Sequence, residues 1–102
     1  MTTPAAAATF FTSGDGLRLF YRDFAPLTPS SKLPVLCLPG LTRNSRDFTH
    51  VAERIRRDRR VLCADLRGRG RSQHDPVWQN YHPGTYLADI GLLLADAGVT
   101  RC

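Results

Sequence analysis

Residues 63–74 read CADLRGRGRSQH. Three arginines alternate with two glycines directly after a short apolar run. Such a stretch admits three readings: a flexible basic contact for nucleic acid, a loop cradling phosphate, or an ordered turn leaving a buried strand. Each implies a different class of protein, and the flanking residues discriminate among them.

A phosphate-binding P-loop requires G-x-x-x-x-G-K-[ST], and Lys32 is the only lysine in the chain. A dinucleotide fingerprint requires a third glycine that opens a helix. Here position 73 is Gln73, and DPVWQNYHP (75–83) does not open one. Arginine–glycine segments that bind RNA come as longer repeated tracts, whereas this one is single and short. It stays as the alternative, with Arg67, Arg69 and Arg71 as the contact residues. The third reading takes the residues one by one. Asp65 ends a strand, and Arg67 can fold back onto that carboxylate or onto nearby carbonyls. Gly68 and Gly70 open backbone angles closed to other residues, and Ser72 can bond its own turn. This describes a loop at the carboxyl end of a parallel strand, where α/β sheets place their sites.

Upstream, RVLCAD (60–65) and PVLCL (34–38) are continuous apolar runs of the kind found in buried parallel strands. Between them, SRDFTHVAERIRRD (45–58) places Phe48, Val51, Ala52 and Ile55 on one helical face with its arginines outward. Asn44 is positioned to cap it, with Asp47 near the positive helix end. TFFTS (9–13) and LRLFYRDFA (17–25) flank the turn signal SGDG, which predicts an antiparallel hairpin. Downstream, PGTYLADIGLLLADAG (83–98) predicts a helix with Pro83 at its start and Gly98 past its end. Its apolar stripe is Leu87, Ile90, Leu94 and Ala97. VTRC begins a further extended segment. The order is β-β-β-α-β-α, and the fold class is α/β, parallel strands with an antiparallel hairpin at one edge. Residues 1–8 are expected as a flexible tail and 9–102 as a single, partial domain.

The 102 residues are 42% apolar and 23% charged, a balance typical of soluble globular chains. No apolar run approaches the length of a membrane span. MTTPAAAATFFTS lacks the basic and apolar regions of a secretory signal, so the cytoplasm is the expected compartment. The net charge of +5 falls in two clusters rather than one block, and a nucleic-acid partner is not the leading expectation. Cys37, Cys63 and Cys102 have neither zinc-ligand spacing nor a C-x-x-C pair. The first two lie in apolar runs, as buried thiols do, which suits a reducing compartment. No metal and no organic cofactor are expected.

DLRGRGRS (65–72) resembles the D-x-R-G-x-G-x-S signature of the α/β-hydrolase fold superfamily. VLCLPGLTRNSRDF (35–48) resembles that family's third strand and oxyanion loop. DGLRLFYRDF (15–24) resembles its second strand, and TYLADIGLLLADAGV (85–99) the helix before its nucleophile strand. The resemblance spans nearly the whole chain, in order. It implies a serine-type hydrolase of an ester, amide, epoxide or related bond in a small-molecule substrate. It implies that the Leu41 backbone N–H, with Gly40 beside it, forms part of an oxyanion hole. Pro39 stands where the family has a histidine, and Thr42, Arg43 and Asn44 line or brace the entrance. Asp65, Arg67, Gly68, Gly70 and Ser72 shape the second loop. No G-x-S-x-G occurs in the 102 residues. The resemblance therefore places the nucleophile, acid and histidine outside them, and residues 1–102 are expected to be inactive alone. Ser72, His74, Asp75 and His82 are too close along one loop to replace the triad. A fragment serving as a non-catalytic interaction module is a further alternative. The family's sheet also places strand three between strands four and five, so PVLCL is expected at an open edge.

Overall fold

The computed structural model describes residues 3–40 and 43–102. The turn at Ser13–Gly16 organises the N-terminal hairpin. Ser13 and Leu17 bond through their backbones, and the Ser13 hydroxyl also accepts from the Leu17 N–H at 2.9 Å. This pairs β1 (Ala7–Thr12) antiparallel with β2 (Arg18–Phe24), Phe10 opposite Phe20 and Phe11 opposite Leu19. The first strand begins at Ala7, two residues earlier than TFFTS suggested, and the Pro4 carbonyl just before it accepts from Arg56.

The remaining strands are β3 (Val35–Cys37) and β4 (Val61–Asp65). They pair in parallel, Leu36 with Leu62 and Cys37 with Cys63, while β2 pairs antiparallel with β4 on its other side. The result is an open mixed sheet in the order β1-β2-β4-β3. The hairpin forms one edge and β3 the other, as the sequence indicated. The connection from β3 to β4 runs through a 3-10 turn (Ser45–Phe48) and α1 (Thr49–Ile55). A second 3-10 turn (Trp78–Asn80) precedes α2 (Pro83–Asp96). Residues 99–102 form no strand. None of the described helices is long and apolar enough to cross a membrane.

All five residues of β4 are buried because both faces of the strand are covered. Leu62 and Ala64 join Phe11, Leu19, Tyr21 and Leu93 under α2. Val61 and Cys63 join Phe24, Cys37 and Ala52 under α1. Burial pushes the Cys63 thiol up to about 12 and raises that of Cys37. Phe20 is also buried, tilted against Phe10, so the face of β2 that carries Arg18 and Arg22 is partly covered.

Both helices are rotated from the expected stripes. In α1, Phe48, Ala52 and Ile55 face the sheet, but Val51 is 48% exposed. Arg56, expected outward, is fully buried. Its guanidinium donates to the Ala25 and Pro4 carbonyls and lies 5.4 Å from the Phe24 ring centroid. In α2, Leu87 is 69% exposed, while Asp89 and Leu93 are buried. The ends of α2 follow the sequence. Pro83 is its first residue, the His82 ring accepts from the Gly84 N–H, and Gly98 turns left-handed past the end. Arg60 fastens that end, pairing with Asp23 and donating to the Ala97 carbonyl at 2.9 Å.

Leu62→Ala is expected to cost about 2–5 kcal/mol. Val51→Ala is expected to stay within about 0.5 kcal/mol of the parent. Urea unfolding of the two variants checks both values.

Candidate functional site

The parallel strands β3 and β4 both end at the same rim of the sheet. The segment after β3 turns at once, with the Arg43 N–H bonded to the Gly40 carbonyl at 3.0 Å. Pro39 is buried and Gly40 exposed. Leu41 and Thr42, expected in the oxyanion loop, lie outside the described residues. Arg43 is exposed and pairs with Asp47 through two bonds of 2.7 and 3.1 Å. Asn44 caps the 3-10 turn, its side-chain oxygen accepting from the Arg46 N–H.

Asp65 ties this segment to the loop after β4. One carboxylate oxygen accepts from the Ser45 N–H at 2.6 Å and the other from the Arg71 N–H at 2.9 Å. Gly70 is what lets the loop close on that carboxylate. Its φ is +51°, and a Cβ there would stand 2.2 Å from an Asp65 oxygen. Gly68, at φ +75°, also passes close to Tyr81, where a Cβ would stand 2.6 Å from the hydroxyl. Ser72 locks the loop to the sheet. Its hydroxyl donates to the Asp65 carbonyl and accepts from the Phe20 N–H, and Gln73 then bonds Arg18 through both backbone and side chain.

Arg67 does not fold back onto Asp65. Its side chain is 2% exposed and reaches three other carboxylates. It holds Asp89 of α2 through two bonds, 2.9 and 2.7 Å, and Asp15 of the hairpin turn through two, 2.7 and 3.1 Å. It also donates to Asp75 of its own loop at 2.7 Å. A buried guanidinium is stable only when so paired. Asp89 first, then Asp15, raise its already high pKa further. In return Arg67, with the Ser13 hydroxyl, holds the Asp15 carboxyl down at about 2. The Val77 N–H, then Asn80 and Arg67, lower that of Asp75. Tyr81 completes the loop, its hydroxyl accepting from the Asp75 N–H at 2.7 Å.

The three acidic partners escaped the sequence reading because they lie in three separate segments. The one local signal was Asp89, an acidic residue four positions before Leu93 on the buried side of a helix. With Arg67 enclosed by carboxylates, the nucleic-acid alternative loses the first of its three arginines. The polar residues of residues 72–82 do not assemble into a triad. Ser72 is engaged by the sheet, His82 caps α2, and His74 packs beside Tyr81. Among the described residues no group of three His, Cys, Asp or Glu side chains is arranged to hold a metal ion.

An open α/β sheet with two loops converging at the ends of adjacent parallel strands has the geometry of a ligand-binding rim. The family model for the alpha/beta hydrolase fold matches residues 34–101, and the chain belongs to that family. An alpha/beta hydrolase from Novosphingobium aromaticivorans DSM 12444 is 45% identical, with a TM-score of 0.88 over 98% of this chain and 34% of its own. A hydrolase from Pseudomonas aeruginosa PA01 is 26% identical, with a TM-score of 0.75 over 93% of this chain and 34% of its own. The 3-hydroxybutyrate-oligomer hydrolase of Cupriavidus necator is 34% identical over 82% of this chain and 28% of its own length. The chain thus spans about a third or less of each of these proteins.

Two outcomes are expected for this loop. Gly70→Ala destabilises by more than about 1 kcal/mol in chemical denaturation, through its positive φ and the clash with Asp65. Stability also falls as pH is lowered from about 4 towards 2. Asp15 and Asp75 are deprotonated in the folded state below their unfolded pKa, so the unfolded chain takes up more protons there. Thermal melts across this pH range should show the fall, and Arg67→Met should flatten it.

Proposed function

We propose that the protein is a serine-type hydrolase of carboxylic esters, with residues 1–102 supplying the first part of its catalytic domain. The observation that carries this reading is the meeting of residues 43–45 with the 65–72 loop at the rim formed by β3 and β4, where Asp65 accepts from the Ser45 and Arg71 amides. In this reading the Leu41 N–H donates to the oxyanion that forms when an ester carbonyl is attacked. Gly40 keeps the approach open, and Pro39 fixes the chain direction before it. Thr42, Arg43 and Asn44 border the entrance. The Asp65 carboxylate holds the two loops in register.

The nucleophile, acid and histidine lie outside these residues, and residues 1–102 alone turn over no substrate. The name of the Cupriavidus necator relative favours short esters of hydroxy acids over amides or epoxides. The reaction proposed uses no metal or organic cofactor, only the polarised carbonyl and an activated hydroxyl. The free, buried thiols of Cys37 and Cys63 favour the cytoplasm as the compartment.

The test is ester hydrolysis by a chain that extends through the nucleophile strand. Leu41→Pro, which deletes the N–H, should lower kcat about 10²–10³-fold. Leu41→Ala, which keeps it, should leave kcat near the parent value. Equal losses in both variants would sink the role of the N–H. Turnover of p-nitrophenyl butyrate by residues 1–102 alone would sink the division of the catalytic groups.

A further inference from the structure

On the α1 face of the sheet, away from the Arg67 cluster, a cleft of about 390 Å³ opens between β2, the 3-10 turn at 45–48 and the 65–72 loop. Its volume is in the range of small-molecule sites. Arg22, Arg46 and Arg71 all line it. Among the described residues, none of these three guanidinium groups has a carboxylate or hydrogen-bond partner. Arg43, Arg56, Arg60 and Arg67, by contrast, are all engaged.

Arg46 is exposed, whereas Arg22 and Arg71 are held against the sheet. Arg22 is half-buried, on the same face of β2 as Phe20 and Phe24. Arg71 lies over the aromatic rings of the hairpin, 4.7 Å from the Phe20 centroid and 5.4 Å from that of Phe10. Its own N–H is fixed by Asp65. A guanidinium stacked in this way keeps its N–H edge free for a second partner. The carboxylate lining the cleft is that of Asp65, and its two oxygens already accept the Ser45 and Arg71 amides. In the adjoining hollow, Glu53 lies 3.8 Å from Arg56. Ser45 also lines the cleft. Its hydroxyl is the one buried side-chain polar atom among the described residues that lacks a hydrogen-bond partner.

Three gathered cations repel one another, and a half-buried cation without a partner is costly. An oxyanion removes both penalties, because guanidinium groups grip carboxylate and phosphate oxygens in pairs. We propose that this cleft binds the phosphate or carboxylate group of a small molecule, clamped by Arg22, Arg46 and Arg71 with Ser45 at its floor. Asn44, Asp65 and Gly70 of the rim also line this cleft, but Arg22, Arg46 and Arg71 have no part in the oxyanion hole, so the anion site can be tested apart from ester hydrolysis.

The test is titration of the purified protein with inorganic phosphate and, separately, with succinate, in a low-salt buffer free of chloride. NMR of the arginine Nε–H groups provides the readout. Saturable shifts confined to Arg22, Arg46 and Arg71 are expected in the parent protein. The double variant Arg22→Gln/Arg71→Gln should weaken binding at least about tenfold. Arg54→Gln, the same charge change on the exposed side of α1, should alter it less than about twofold. Saturation by phosphate alone assigns a phosphorylated ligand, and saturation by succinate alone a carboxylate one. Shifts that do not saturate, shifts spread over all exposed arginines, or an equal loss in Arg54→Gln would overturn the proposal.

Discussion

A guanidinium sealed from water must find anions inside the protein, and Arg67 finds three. Its partners come from the hairpin turn, the loop after β4 and the middle of α2, so one cation gathers three segments of the chain. Asp75 and Asp89 are buried along with it, while Asp15 remains half open to solvent. The cluster carries more negative than positive charge, which is offset in part by further donors: the Val77 N–H and the Asn80 amide on Asp75, and the Ser13 hydroxyl on Asp15. The rim depends on this arrangement. With Arg67 held from below, the loop can present its backbone to Asp65 and so meet the segment that follows β3.

The helices show what the sequence conveyed and what it withheld. Their existence, caps and ends were legible, because Asn44, Pro83 and Gly98 act within a few residues of their own positions. The direction each helix faces was not. Apolar periodicity alone turned α1 towards Val51 and α2 towards Leu87. In the structure each is rotated so that a charged residue points inward, Arg56 in one and Asp89 in the other. Both burials need partners distant in the chain, the carbonyls of Pro4 and Ala25 for Arg56 and the guanidinium of Arg67 for Asp89. A hydrophobic pattern has no means of recording such partners.

The rim itself was legible to a comparable degree. The two loops were identified from short motifs, and the positive φ of Gly68 and Gly70 agrees with the freedom expected of them. The role of Asp65 differed. It was one of the two acceptors offered for Arg67, the other being nearby carbonyls, and instead it accepts two backbone amides that belong to different loops. Arginine against aspartate is the natural pairing when only neighbours in sequence are visible. Ser45 and Asp65 are twenty positions apart, and their bond exists only because β3 and β4 run side by side.

The placement of β2 also bears on how the molecule assembles. The hairpin β1–β2 and the unit β3–α1–β4 each close over short stretches of chain, whereas the seam between β2 and β4 joins residues about forty positions apart. Contacts of that separation form late, since the loop entropy is lost before they repay it. Ser72, bridging the Phe20 amide and the Asp65 carbonyl, sits at the end of that seam. Arg67 also cannot be buried until hairpin, loop and α2 are all in place. The polar cluster thus joins the two locally closed halves, and its burial distinguishes a docked sheet from a merely collapsed one.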